Sequence, residues 1–205
     1  MSYRSQFIDS LRFLGQIEPE SFMPEDQLRG IEEVIVMTQT DPDVVEAYDQ
    51  GLKLLAALGE QWIKSMPYGP QHKCHSLAQG FMSTWSSTPF AEAAPLAMTI
   101  GNVYYKGQNI YETTRDSIVE AIRIGPTTEK LPMHVWLTRD DMTVIDFAIQ
   151  PSLTAMGLME PVAAGEPPLL VWKETDPGDF HYEPLLVHNN FFHLVDEGEG
   201  FLVAV

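Results

Sequence analysis

One thiol and two polar side chains downstream of it are the residues of this chain best suited to covalent chemistry. Cys74 is the only cysteine in 205 residues. That excludes an internal disulfide and any multi-cysteine zinc or iron–sulfur site, and it points to a reducing compartment. Cys74 follows a break at Tyr68, Gly69 and Pro70. It opens an apolar series of Cys74, Leu77, Ala78, Phe81, Met82 and Trp85, whose spacing predicts a helix beginning near the thiol. At a helix N-terminus the unpaired N–H groups and the macrodipole stabilise an anion, which favours the nucleophilic thiolate. His72, Lys73 and His75 are further contributors within reach. Against this stands the plain alternative, because Cys74 also lies on the apolar face of its helix and free cysteine is often a small buried hydrophobe.

The second piece comes from register arithmetic. Met133–Thr138 and Met142–Ile149 are rich in β-branched and aromatic residues around a polar Arg139, Asp140, Asp141 turn, and they predict a hairpin. With a three-residue loop, Thr138 faces Met142, Trp136 faces Val144 and His134 faces Asp146. Such partners have Cβ atoms roughly 4.5–5.5 Å apart, so the carboxylate can accept a hydrogen bond from one imidazole nitrogen and leave the other free. The competing reading is a buried histidine satisfied by a neighbouring acid. A one-residue change of loop length would put the two on opposite faces.

Nucleophile, base and orienting acid in the order Cys, His, Asp, on a helix start and two adjacent strands, form a catalytic constellation. In this respect the sequence resembles the transglutaminase-like branch of the papain-like cysteine protease superfamily. The matching residues are Cys74, His134 and Asp146. His134-Val135-Trp136 resembles that family's His-Ala-Trp, and Val144-Ile145-Asp146 resembles the hydrophobic run into its aspartate. The resemblance spans about residues 70 to 150. It departs where the family commonly carries an aromatic after the cysteine and a proline after the aspartate, since His75 and Phe147 stand there. It implies a cysteine-dependent hydrolase or acyl transferase acting on an amide, ester or thioester. Water as acceptor makes a protease or amidase, an amine makes a transglutaminase, and an acyl carrier makes an acyltransferase. Gln71, His75 and Trp136 are candidates for oxyanion or substrate contacts, with the Cys74 backbone N–H as the donor a helix start supplies in any case. The competing class is a catalytically inactive binding or interaction module on the same fold.

Other groupings are weaker. His72, Cys74 and His75 fit no zinc spacing, and His181, His188 and His193 read as structural, so no metal or other cofactor is expected. Gly101-Asn102 and Lys106-Gly107 are turn or bulge chemistry without the strand-to-helix context of a phosphate loop.

The elements that must position these residues change type along the chain. Residues 1 to 66 read as helical, with Phe7, Ile8, Leu11 and Leu14 on one face. Asp41 caps a segment opened by Pro42, in which Val44, Val45, Tyr48, Leu52, Leu55, Leu58, Trp62 and Ile63 form a core stripe. After the Cys74 helix, Met98–Tyr105 and Asn109–Tyr111 predict a first hairpin. Thr114–Arg123 predicts a helix with Ile118, Val119 and Ile122 inward, and the catalytic-like hairpin follows. Residues 161 to 178 hold at most one short strand, Leu169–Trp172, and a further strand, Tyr182–Val187, precedes Asn189–Asp196 and an apolar end, Phe201–Val205. Helices first and antiparallel strands afterwards predict an α+β fold, which the resemblance sharpens to N-terminal helices packed on the antiparallel sheet of a papain-like core. The length fits one domain, with residues 1–66 as a helical part, 70–150 as the core and 151–205 as acidic strands and loops.

Charge bounds the partners. Twelve Lys and Arg against 29 Asp and Glu give a net charge of −17, and residues 140 to 205 contribute −11 of it with 12 acids and one base, Lys173. Polyanionic nucleic acid is repelled by such a surface, whereas a cationic peptide, amine or other small amide or thioester substrate is attracted. No apolar run approaches 18 residues and no secretory leader pattern opens the chain, so no membrane partner and a cytoplasmic location are expected.

Overall fold

The computed structural model describes residues 1–66, 73–92, 94–127, 131–163, 165–176 and 178–195. Three helices come first: α1 (Tyr3–Ile17), α2 (Glu25–Thr40) and α3 (Pro42–Ser65). Asp41 caps α3 as its sequence requires, accepting from the backbone N–H groups of Asp43 and Val44. The thiol-bearing helix α4 (Cys74–Ser86) leads into β1 (Leu96–Tyr105), β2 (Gln108–Asn109), α5 (Arg115–Ile124), β3 (His134–Arg139), β4 (Val144–Asp146), α6 (Ile149–Ala155), β5 (Leu170–Trp172), β6 (Phe180–Val187) and α7 (Phe191–Val195). The result is an α+β arrangement of helices on an antiparallel sheet. No helix among the described residues is long and apolar enough to cross a membrane.

The sheet runs β6-β1-β3-β4-β5, with the short β2 beside the far end of β1. Alternating strand residues feed two cores. On one face Met98, Ile100, Val135, Leu137 and Ile145 pack with Leu77, Phe81 and Trp85 of α4 and with Leu55 and Ile63 of α3. On the other, Val103, Trp136, Val144 and Tyr182 pack with Tyr3, Phe7 and Leu11 of α1 and with Leu28 and Ile35 of α2. The α3 stripe is therefore core only in its second half. Val44, Val45, Tyr48 and Leu52 are half-buried, and Val119 of α5 points outward while Ala121 turns in.

Two local departures from the sequence expectation bear on the site. The β3–β4 ladder pairs Thr138 with Val144 and Leu137 with Ile145, two residues out from the three-residue-loop register. Arg139 is the cause. Instead of lying in a solvated turn it ends β3 fully buried. Its guanidinium donates through Nε to Asp141 Oδ1 at 2.8 Å and through Nη2 to the other carboxylate oxygen, and it reaches the Tyr48 carbonyl at 2.8 Å. Asp141 also accepts from the backbone N–H and the hydroxyl of Thr143, and Met142 takes a left-handed conformation at φ 67°. The turn therefore consumes residues that simple counting assigned to the strand. Because the shift is even, His134 and Asp146 stay on one face as diagonal rather than directly opposed neighbours. The second departure is the strand end: Asp146 Oδ1 accepts the backbone N–H groups of Ala148 and Ile149 at 2.9 and 3.0 Å, which stops β4 and opens α6 where the sequence suggested continued strand.

Candidate active site

Cys74 is the first residue of α4, with Lys73 as its N-cap. An α-helix leaves its first N–H groups without intrahelical acceptors, so they point toward the space in front of the sulfur. The thiol is buried, 8% exposed, and its Sγ lies 3.6 Å from His75 Nδ1 and 3.9 Å from the Met133 carbonyl at the entry to β3. Burial by itself raises a thiol's pKa. Here that effect is outweighed by the neighbouring His75 and His134 imidazoles, which hold Cys74 well below the ordinary thiol range.

His134 opens β3 and is fully buried. Its cross-strand partner on β1 is Gly101, at a bulge in the β1–β6 pairing; a Cβ there would overlap the Glu183 carbonyl and press on the Trp136 ring. His134 Nε2 donates to Asp146 Oδ2 at 2.6 Å. A carboxylate only accepts, so this contact places the proton on Nε2 of the neutral ring and leaves Nδ1 as the nitrogen available to the thiol. Nδ1 is buried with no hydrogen-bond partner among the described residues, and Cys74 lies near enough for the thiol and the ring to shift each other's pKa. Burial pushes the imidazole down, but the Asp146 charge and hydrogen bond, with Tyr111 and Cys74, carry it well above its usual value. The charges thus favour a thiolate beside an imidazolium.

Asp146 is held from every side. Besides His134 and the two α6 N–H groups, it accepts at Oδ2 from the Tyr182 hydroxyl of β6 at 2.9 Å. Burial and the Asp146 charge keep that phenol protonated, with its pKa well above the ordinary tyrosine value. Tyr111 stacks on the His134 ring at 4.8 Å and 19°, and Trp136 lies at 6.1 Å. Trp136 is fully buried with its indole N–H donated to Tyr3 Oη, so it supports the imidazole from the protein interior instead of offering a donor to substrate. Tyr3 continues that buried chain to Thr138 and Thr99.

His75 meets the sulfur directly, whereas Gln71 and His72 lie outside the described residues. His181 packs on Tyr104 and Trp172, His188 sits 3.6 Å from Glu18, and His193 is exposed; these three do not reach the Cys74 site. No three metal-ligating side chains come together among the described residues. Sequence reasoning missed Tyr182 and Tyr111, and only the presence of aromatic residues in strand- and turn-like contexts could have marked them.

Compared with protein-family models, with curated proteins and with solved structures, the chain matches none.

Proposed function

We propose that this chain is a cysteine-dependent hydrolase or acyl transferase acting on an amide, ester or thioester, with a core of the papain-like, transglutaminase-like kind. One observation carries the reading: a sulfur depressed in pKa stands at a helix N-terminus beside an imidazole whose far nitrogen is held by a buried aspartate. In the chemistry this supports, Cys74 Sγ attacks the substrate carbonyl and its proton resides on His134 Nδ1. The tetrahedral oxyanion forms in front of the α4 N-terminus. Collapse breaks the bond to the leaving group, which takes the proton from Nδ1 and leaves a thioester on Cys74. Water or an amine, thiol or alcohol acceptor then attacks that thioester, gives its proton to Nδ1, and releases the thiolate. Asp146 keeps the ring in the productive tautomer and stabilises the imidazolium. The net negative charge of the chain favours a cationic peptide or amine as substrate or acceptor.

A second reading, a binding module without turnover, is favoured by the low exposure of the thiol. Incubation with a p-nitrophenyl ester separates them. The enzyme reading expects nitrophenolate release with one acyl group appearing on Cys74 by mass spectrometry, and rapid iodoacetamide labelling near neutral pH, both lost in His134→Ala. A thiol that reacts only after unfolding would establish the module instead.

A further inference from the structure

Cys74 is flanked by two imidazoles, and the mechanism above uses only one. The second, His75, follows the nucleophile in sequence, and its Nδ1 stands 3.6 Å from Sγ. The ring is fixed by α7, stacking on Phe191 at 6.1 Å and 19° with Phe192 at 6.4 Å. Its other nitrogen, Nε2, is buried without a partner among the described residues. That orphan atom reports on the tautomer. A buried N–H left unpaired is rarer and costlier than an acceptor with an idle lone pair. Nε2 is therefore the unprotonated nitrogen of the neutral ring, and the proton sits on Nδ1, facing the sulfur. We infer that His75 is a second hydrogen-bond donor to the Cys74 thiolate, opposite in role to His134: it gives an N–H to the sulfur and takes no proton from it.

This deepens the proposed cysteine chemistry and rests on that reading. A neutral donor has a consequence that a second positive charge would not have. The thiolate keeps a partner after His134 has lost its proton, so the nucleophile does not depend on a single ion pair. His75 is in this sense a positioning residue for the sulfur lone pairs. The titratable groups near the sulfur among the described residues are Lys73 and His75 at the α4 end, His134 from β3 backed by Asp146 of β4 and Tyr182 of β6, and Tyr111 over the His134 ring; the Met133 carbonyl and the Phe191 and Phe192 rings of α7 are the uncharged neighbours.

The test is the pH profile of Cys74 alkylation by iodoacetamide on the full chain, followed by mass spectrometry, in the wild type, His75→Phe and His75→Asn. Phenylalanine keeps the aromatic contact with Phe191 and removes the donor. Asparagine carries an amide N–H near the Nδ1 position but cannot be charged. The expected result is a wild-type midpoint below that of a free thiol, a His75→Phe midpoint about one pH unit higher, hence a thiolate population about tenfold lower on the acid side, and a His75→Asn midpoint close to wild type. Circular dichroism of each variant checks the fold. A low wild-type midpoint that His75→Phe leaves unmoved overturns the donor role and leaves the enzyme reading standing. A midpoint raised equally in both variants also overturns it, because charge and not an N–H would then be responsible. An ordinary thiol midpoint in the wild type overturns the enzyme reading itself.

Discussion

Asp146→Asn isolates the orienting acid without changing its size, and the structure dictates which way the amide must turn. Oδ1 accepts two backbone N–H groups, from Ala148 and Ile149, so an NH₂ at that position would face two donors. The NH₂ therefore replaces Oδ2, opposite His134 Nε2 and the Tyr182 hydroxyl. Tyr182 can rotate its O–H to accept. His134 can meet an N–H at Nε2 only by giving up its proton there, which leaves its one proton on Nδ1, the nitrogen that faces the thiol. The base is then occupied, and loss of the equivalent carboxylate in a Ser/His/Asp enzyme costs about 10⁴ in turnover. Exchanging charge-assisted for neutral hydrogen bonds at a fully buried site also costs about 1–3 kcal/mol of stability. That cost depends on pH. His134 is raised above its ordinary 6.5, so its contribution is complete below that value and fades as pH rises through the folded pKa. Cys74 is lowered from 9.0, so its contribution is complete above 9.0 and fades as pH falls through its folded pKa. Asp146→Asn removes the His134 part, so urea denaturation should find the variant more destabilised near about pH 6 than near about pH 9. Nitrogen NMR of His134 should show Nε2 losing its proton while Nδ1 keeps one, and Cys74 alkylation should shift to higher pH. An unchanged tautomer together with an unchanged alkylation profile would refute this reasoning.

Two further substitutions probe the frame around the site. Gly101→Ala puts a Cβ against the Glu183 carbonyl and the Trp136 ring, neither of which can swing away, so it should cost about 1–3 kcal/mol in urea denaturation and weaken the wall behind His134. Tyr182→Phe removes one donor from Asp146 while keeping the ring against Trp136 and Trp172; the expected loss is about 1.5–3 kcal/mol in thermal or urea unfolding, with Cys74 still alkylated below the free-thiol midpoint because His134 retains its own bond to Asp146.

Most of the element pattern was legible because it is local. The Asp41-Pro42 start of α3, the apolar spacing from Cys74 to Trp85, the Lys106-Gly107 turn at positive φ, and the Thr114 cap of α5 with Gly125 after it are each decided within a few residues. That Cys74 begins a helix and that His134 and Asp146 share a sheet face were readable for the same reason, because periodicity and parity survive an error of two in loop length. The loop length itself was not readable. It depends on Arg139 choosing a buried place between Asp141 and the Tyr48 carbonyl of α3, a contact across 91 residues. The end of β4 was likewise hidden, since a carboxylate that bonds the imidazole and also captures two following N–H groups looks in sequence like any strand aspartate.

What the sequence alone determined is the order and type of the candidate site groups, because a single thiol at a helix start and an alternating hairpin carrying His134 and Asp146 are read from local pattern. Only the tertiary structure decided their state. The depressed thiol, the raised imidazole, and the partners His75, Tyr111 and Tyr182 arise where segments from residues 74, 111, 134, 146 and 182 exclude water together. The strength of a charge or hydrogen bond is set by that excluded water and by distance, and neither quantity is carried by any one stretch of chain.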